Sequence, residues 1–115
     1  FRSQDNGSGW TPFNQGLDDG GARIYPLTAR NGFLLAGDGQ NSGKLYRTQL
    51  GSNNWSVTLT SVFTGGNFAQ NSTSVFASAS SGFYSSTNDG LSWSKISDFN
   101  SSFVTLGTNG FYGIS

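Results

Sequence analysis

The chain has 115 residues and no net charge, because its six basic residues balance its six acidic ones. That balance argues against the strongly basic face that nucleic-acid binding requires. Charged residues make up only 10% of the chain, whereas aromatic residues reach 15%, far above the content of disordered segments. The sequence therefore predicts one all-β domain whose short strands are joined by polar turns.

Four residue types are missing altogether: Cys, His, Met and Glu. Without Cys there is no disulfide or thiolate metal site, and without His the commonest general base and metal ligand is lost. We therefore predict neither a metal nor a cofactor. No apolar run approaches the roughly 18 residues of a membrane span, and no signal peptide is visible. Because Met is absent, we expect that the chain does not begin at its natural start.

Short alternating apolar runs, separated by Gly, Asn and Ser, predict strands in four groups along the chain. The first group is a pair, at 1–2 and 10–13. The second group has four strands, at 22–28, 32–37, 44–48 and 55–59. The third also has four, at 67–70, 73–78, 82–86 and 93–97. The fourth is a pair, at 103–107 and 111–114. Asn31-Gly32 and Asn109-Gly110 are hairpin signals inside the second and fourth groups.

A similar loop precedes each of the three tryptophans. Trp10, Trp55 and Trp93 are 45 and 38 residues apart, and a hydroxyl residue lies seven positions before each of them. We call these segments the first, second and third Trp loops: residues 3–10 (SQDNGSGW), 48–55 (TQLGSNNW) and 86–93 (STNDGLSW). Recurrence at this spacing is typical of stacked structural repeats.

The Trp loops resemble the Asp box, S/T-x-D-x-G-x-x-W, of sialidase-like β-propellers. The first loop matches at every motif position, through Ser3, Asp5, Gly7 and Trp10. The third loop differs at one position, where Asn88 replaces the aspartate; its matching residues are Ser86, Gly90 and Trp93. The second loop keeps only Thr48 and Trp55, and has Leu50 and Ser52 at the aspartate and glycine positions.

We expect the box residues to be structural. The Asp or Asn side chain can accept hydrogen bonds from nearby backbone N–H groups, and Gly supplies a left-handed backbone conformation. The tryptophan then enters the next strand and buries its ring against the neighbouring sheet.

The resemblance implies propeller blades, each an antiparallel sheet of four strands named A to D. Residues 22–59 and 67–97 would then form full blades, 1–13 strands C and D of a blade, and 103–115 strands A and B. About three blades are too few for a closed ring. Two alternatives remain open: either two chains complete a six-bladed ring, or the chain is a piece of a longer parent that supplies the missing blades.

An enzymatic alternative is sialidase activity. Arg23-Ile24-Tyr25-Pro26 loosely resembles the Arg-Ile-Pro segment of that family, whose arginine clamps a substrate carboxylate. The family also needs an arginine triad, a Tyr nucleophile, a Glu that activates it and an Asp acid/base, and this chain has no Glu. We therefore expect no catalysis. The alternative is a fragment of a larger sialidase-like glycoside hydrolase whose catalytic residues lie outside this chain.

The favoured function is a non-catalytic, lectin-like binding or assembly scaffold that is secreted or displayed at the cell surface. In a propeller the D–A and B–C loops share one face, which we expect to bind a glycan or a protein. Polar and aromatic side chains in these loops suit such contacts. The candidate ligand residues are Asp18, Asp19, Asp38, Gln40, Asn41, Phe63 and Asp98.

Overall fold

The computed structural model describes residues 1–17, 24–39, 43–60, 67–100 and 103–114, and within them it has strands and no helix. Sheet I contains β1 (Ile24–Arg30), β2 (Phe33–Asp38), β3 (Leu45–Gln49) and β4 (Ser56–Leu59). Sheet II contains β5 (Phe68–Gln70), β6 (Val75–Ala79), β7 (Gly82–Ser86) and β8 (Ser94–Ser97). Sheet III contains β9 (Phe103–Gly107) and β10 (Gly110–Ile114). The all-β prediction is confirmed, and none of the three sheets closes into a barrel. A helix able to cross a membrane is likewise absent from these residues.

Each sheet is an antiparallel meander in which every strand pairs with the next one along the chain. The turn from β1 to β2 holds Asn31 and Gly32 at φ values of 47° and 86°, the left-handed pair that a two-residue hairpin requires. Sheets I and II also share a register, because Ala36 faces Tyr46 in one and Ala77 faces Tyr84 in the other. The two sheets are thus equivalent position by position.

Two predictions at the chain ends need correction. The strands predicted at 1–2 and 10–13 are joined only by one bridge, in which Arg2 and Thr11 exchange backbone hydrogen bonds of 2.8 and 2.9 Å. The ladder stays short because no third strand among the described residues pairs with either arm. In sheet III, β10 begins at Gly110, so Thr108 and Asn109 form the turn rather than Asn109 and Gly110.

The apolar core lies between neighbouring sheets. One cluster joins Phe13, ahead of sheet I, to Ala36, Tyr46 and Trp55. A second cluster joins Phe76 and Phe83 of sheet II to Val104 of sheet III.

The first strands of consecutive sheets also contact each other, β1 with β5 and β5 with β9. The Asn67 amide spans one of these contacts by bonding both the N–H and the C=O of Val104, at 2.8 and 2.6 Å. The sheets therefore succeed one another in space in chain order.

Candidate functional sites in the Trp loops and a polar pocket

The first and third Trp loops have the same hydrogen-bond network. In the first, the Ser3 hydroxyl donates to Asp5 Oδ1 and accepts from the Gly7 N–H, both at 2.8 Å, and Gly9 N–H donates to Asp5 Oδ1 at 2.8 Å. In the third, the corresponding three bonds measure 2.8, 2.9 and 3.0 Å and use Ser86, Asn88, Gly90 and Ser92. In both, the indole N–H donates to the glycine carbonyl at 3.1 Å.

The backbone of these two loops explains their sequence. Asn6 and Gly7 have φ values of 58° and 87°, and Asp89 and Gly90 have 58° and 82°. Such left-handed pairs favour Asn, Asp or Gly over any β-branched residue. Asn88 replaces aspartate without loss, because its Oδ1 accepts the same bonds while its Nδ2 donates to the Ser92 hydroxyl at 2.7 Å.

The second Trp loop forms a similar turn with different hydrogen bonds. The Thr48 hydroxyl donates to the carbonyls of Ser52 and Asn54, at 2.8 and 3.0 Å, instead of bridging to a carboxylate. Gly51 takes the left-handed position, with a φ of 87°. The loop therefore keeps its corner although it lacks both the aspartate and the glycine of the motif.

The three tryptophans have unequal surroundings, although the sequence predicts that all three are buried. Trp55 is 7% exposed, and its indole N–H donates to the Phe13 carbonyl at 2.9 Å. Trp93 is half-buried, stacks on Phe68 and reaches the Thr58 hydroxyl at 3.3 Å. For Trp10 the prediction is wrong: its side chain is 61% exposed, because no sheet among the described residues lies against the first loop.

The third Trp loop forms the joint between sheets I and II. A Cβ at Gly90 would lie 2.5 Å from Leu35 Cδ2, so any other residue would have to displace the buried Leu35 side chain of β2. The Asp89 carbonyl accepts a 3.0 Å hydrogen bond from Arg47 Nε, and its carboxylate accepts one of 2.9 Å from Asn31. One loop of sheet II is thus fixed to three strands or turns of sheet I.

Arg30, at the end of β1, completes this joint. Its Nε forms a 2.9 Å ion pair with Asp89, and its side chain is only 7% exposed. Its terminal nitrogens donate to Gln70 Oε1 at 3.2 Å and to the carbonyls of Asn71 and Ser72 at 2.6 and 3.3 Å. The buried guanidinium therefore holds the turn after β5 and the third Trp loop against one sheet edge.

A polar pocket of about 250 Å³ opens beside this joint. The Arg47 guanidinium lies 3.5 Å above the Phe33 ring, and its two Nη atoms have no hydrogen-bond partner among the described residues. Hydroxyl and amide side chains surround that cation. The lining residues are Phe33, Arg47, Thr48, Gln49, Ser52, Asn54, Ser56, Thr58 and Leu91. Sequence reasoning missed this pocket, because its walls come from two Trp loops that meet only in the folded chain.

The residues that the sequence nominates for ligand binding do not form a common site in the described part of the chain. Asp38 is not in a solvated loop, as predicted, but ends β2 and is completely buried. Its backbone N–H donates to the Lys44 carbonyl at 2.9 Å, which extends the ladder between β2 and β3 and draws the residue inward. Asp98 is exposed and pairs with Lys95 at 2.6 Å. The remaining candidates lie outside the described residues: Asp18, Asp19, Gln40, Asn41 and Phe63. Arg23 lies outside them too.

The first Trp loop contains a carboxylate with a lowered pKa, so we expect the stability of the chain to depend on pH. The Gly9 N–H, and after it the Ser3 hydroxyl, stabilise the Asp5 carboxylate and hold the pKa of Asp5 below its ordinary value of about 3.9. A carboxylate with a lowered pKa contributes its full stability above that ordinary value, and the contribution is lost as the pH falls through the folded-state pKa.

We therefore expect Asp5→Asn to lose less stability on acidification than the wild type, while Asp5→Ala unfolds at a lower temperature than the wild type at about pH 5 and the difference shrinks toward about pH 2. Asn88 shows that an amide can take this position. Thermal unfolding between about pH 5 and pH 2 measures both effects. Asp98 is a second exposed carboxylate, and its hydrogen bond to Lys95 also lowers its pKa. Asp98→Asn is therefore the control that measures how much of the acid sensitivity comes from Asp98. An equal loss on acidification in Asp5→Asn and the wild type would contradict the assignment.

Among the described residues, no three His, Cys, Asp or Glu side chains lie close enough together to hold a metal ion. Comparison with protein-family models and with curated proteins found no match for this chain.

Proposed function

We propose that the chain is a non-catalytic scaffold of propeller type, whose repeated sheets serve assembly and glycan binding. The observation that carries this proposal is the shared network of the first and third Trp loops. These two loops lie 83 residues apart and have the same backbone turn and the same hydrogen bonds, including the bond from the indole N–H to the glycine carbonyl. The common register of sheets I and II and the succession of their first strands support stacked, equivalent units.

Binding rather than catalysis is supported by the side chains present. The chain contains no His or Glu, so two of the usual general bases are missing. Arg30 and Arg47 both contact Asp89, one at its carboxylate and the other at its carbonyl, and Arg30 is buried by that contact. These arginines stabilise the joint between sheets, and among the described residues neither faces a carboxylate pair that could cleave a glycosidic bond.

The polar pocket is the proposed ligand site. The Nη atoms of Arg47, which no described residue bonds, carry a positive charge and up to four N–H donors, which suit the carboxylate of an acidic sugar. The hydroxyls of Ser52, Ser56 and Thr58 line the same pocket and suit the hydroxyls of a sugar ring. Leu91 adds an apolar wall that suits the C–H face of the ring.

A glycan array of matched neutral and acidic sugars tests this function. We expect acidic glycans to bind and Ser56→Tyr to abolish binding, because Ser56 is exposed on β4 and a larger ring there fills the pocket without disturbing the core. Thr108→Tyr, at an exposed turn outside the pocket, is the control that keeps binding. Unchanged binding by Ser56→Tyr would refute the pocket. Turnover of a fluorogenic sialoside by this chain would refute the non-catalytic assignment.

A further inference from the structure

The tryptophans of the second and third Trp loops contact an equivalent position in the preceding unit. Trp55 bonds and packs edge-to-face against Phe13, which lies three residues after Trp10. Trp93 bonds to Thr58, which lies three residues after Trp55. The next position in this series is Ile96, three residues after Trp93. No tryptophan of this chain reaches Ile96, whose side chain is 53% exposed.

Among the described residues, Trp10 is a tryptophan without its contact position, and Ile96 is a contact position without its tryptophan. At one end, no sheet among the described residues covers Trp10, whose side chain is 61% exposed. At the other end, Ile96 lines an apolar pocket of about 250 Å³ between sheets II and III, together with Phe83, Val104 and Phe111. Trp93 also stacks on Phe68, which pairs with Ala77 in sheet II. In sheet III, Val104 pairs with Gly113 at the same register position. Val104 is therefore the equivalent of Phe68. The pocket thus presents the equivalents of the two residues that Trp93 contacts, Thr58 and Phe68.

We propose that Trp10 of one copy inserts into this pocket of a second copy, forming a head-to-tail joint. The joint rests on the scaffold part of the proposed function but needs no ligand. Because Trp10 and the pocket lie at opposite ends of the chain, each copy can give one tryptophan and receive one. In the proposed particle two copies do both and thereby close on each other. Filling the pocket removes a large exposed indole and several apolar side chains from water.

Backbone pairing supports the same arrangement. Among the described strands β10 pairs with β9 alone, and its Gly113 is equivalent to Ala36 and Ala77. Those two small residues face Tyr46 and Tyr84, each two positions before the hydroxyl that opens a Trp loop. Phe1 has that position in the first loop and is almost fully exposed. In the joint, the first residues of one copy therefore add a strand to β10 of the other, with Phe1 opposite Gly113.

Sedimentation equilibrium of the wild type and of single variants tests the joint. We expect a wild-type particle of twice the 12.2 kDa chain mass. Trp10→Ala and Ile96→Lys should each raise the dissociation constant by at least about 30-fold, as expected when a buried aromatic anchor is lost from an interface. Both side chains are exposed in the single chain, so circular dichroism should show both variants folded. Leu50→Lys, at a matched 52% exposure but outside the pocket, should leave association unchanged.

Mixing the two variants identifies the partners. Trp10→Ala keeps its pocket and Ile96→Lys keeps its tryptophan, so one intact joint can form in the mixture and none in either variant alone. We expect the mixture to associate more tightly than each variant by itself. A folded wild-type monomer at high micromolar concentration, or a mixture that associates no better than its components, would overturn the joint. A monomer that still binds acidic glycans would overturn the joint alone, whereas a two-chain particle that binds no glycan would overturn the ligand site alone.

Discussion

Replacing Trp55 by alanine should lower the free energy of unfolding by about 3–5 kcal/mol, the range for truncating a buried large aromatic side chain. Trp55 is 7% exposed, and its ring meets Phe13 edge-to-face at 6.2 Å between centroids. Its indole N–H satisfies the Phe13 carbonyl at 2.9 Å. The substitution therefore opens a cavity in the first core cluster and leaves a carbonyl without its donor. Urea unfolding followed by circular dichroism measures the loss.

The matched control is Trp10→Ala, tested in the Ile96→Lys background so that association does not contribute. Trp10 makes the same hydrogen bond within its own loop as Trp93, but its ring is exposed. We expect a loss below about 1 kcal/mol, as for most surface substitutions. Trp93→Ala should lie between the two, since Trp93 is half-buried on Phe68. Equal losses for all three would mean that the tryptophans stabilise their own loops and not the contact between sheets.

Much of the fold could be predicted because its signals are local. Alternating runs such as Phe33-Leu34-Leu35-Ala36, bounded by Asn31-Gly32, contain both the strand period and the turn chemistry in adjacent residues. Predicted and observed strands of sheets I and II consequently overlap in every case. The hairpin at 1–13 was harder to predict, since whether a ladder extends depends on a third strand that lies beyond the local pattern.

The surroundings of the loops could not be predicted in the same way. The motif identifies Ser3 and Asp5, whose partners lie within four residues. It says nothing about Asp89, which occupies a variable motif position and yet meets Arg30 from 59 residues away. Burial is equally non-local. Trp10 and Trp55 end similar loops, but Phe13 packs against Trp55 and no described residue of an earlier unit packs against Trp10.

The contacts of Arg30 between sheets I and II give the second large expected effect on stability. We expect Arg30→Met to lower the free energy of unfolding by about 3 kcal/mol, because removing one partner of a buried ion pair leaves the other charge and several acceptors uncompensated. Arg30 is bonded to Asp89, to Gln70 and to two carbonyls of the turn after β5. Arg30→Lys should recover only part of the loss, since one ammonium cannot reproduce the planar fork of donors. Urea unfolding measures both variants.

A double-mutant cycle separates the ion pair from the rest of the joint. Asp89→Asn is the suitable partner variant, because Asn6 holds the equivalent left-handed position in the first Trp loop with the same φ of 58°. If the charges interact as their 2.9 Å contact implies, Arg30→Met should cost clearly less in the Asp89→Asn background than in the wild type. The exposed pair of Lys95 and Asp98 provides the contrast, and Lys95→Met should leave stability unchanged. An Arg30→Met loss that is the same in both backgrounds would show that the carbonyl and amide contacts, and not the ion pair, hold sheets I and II together.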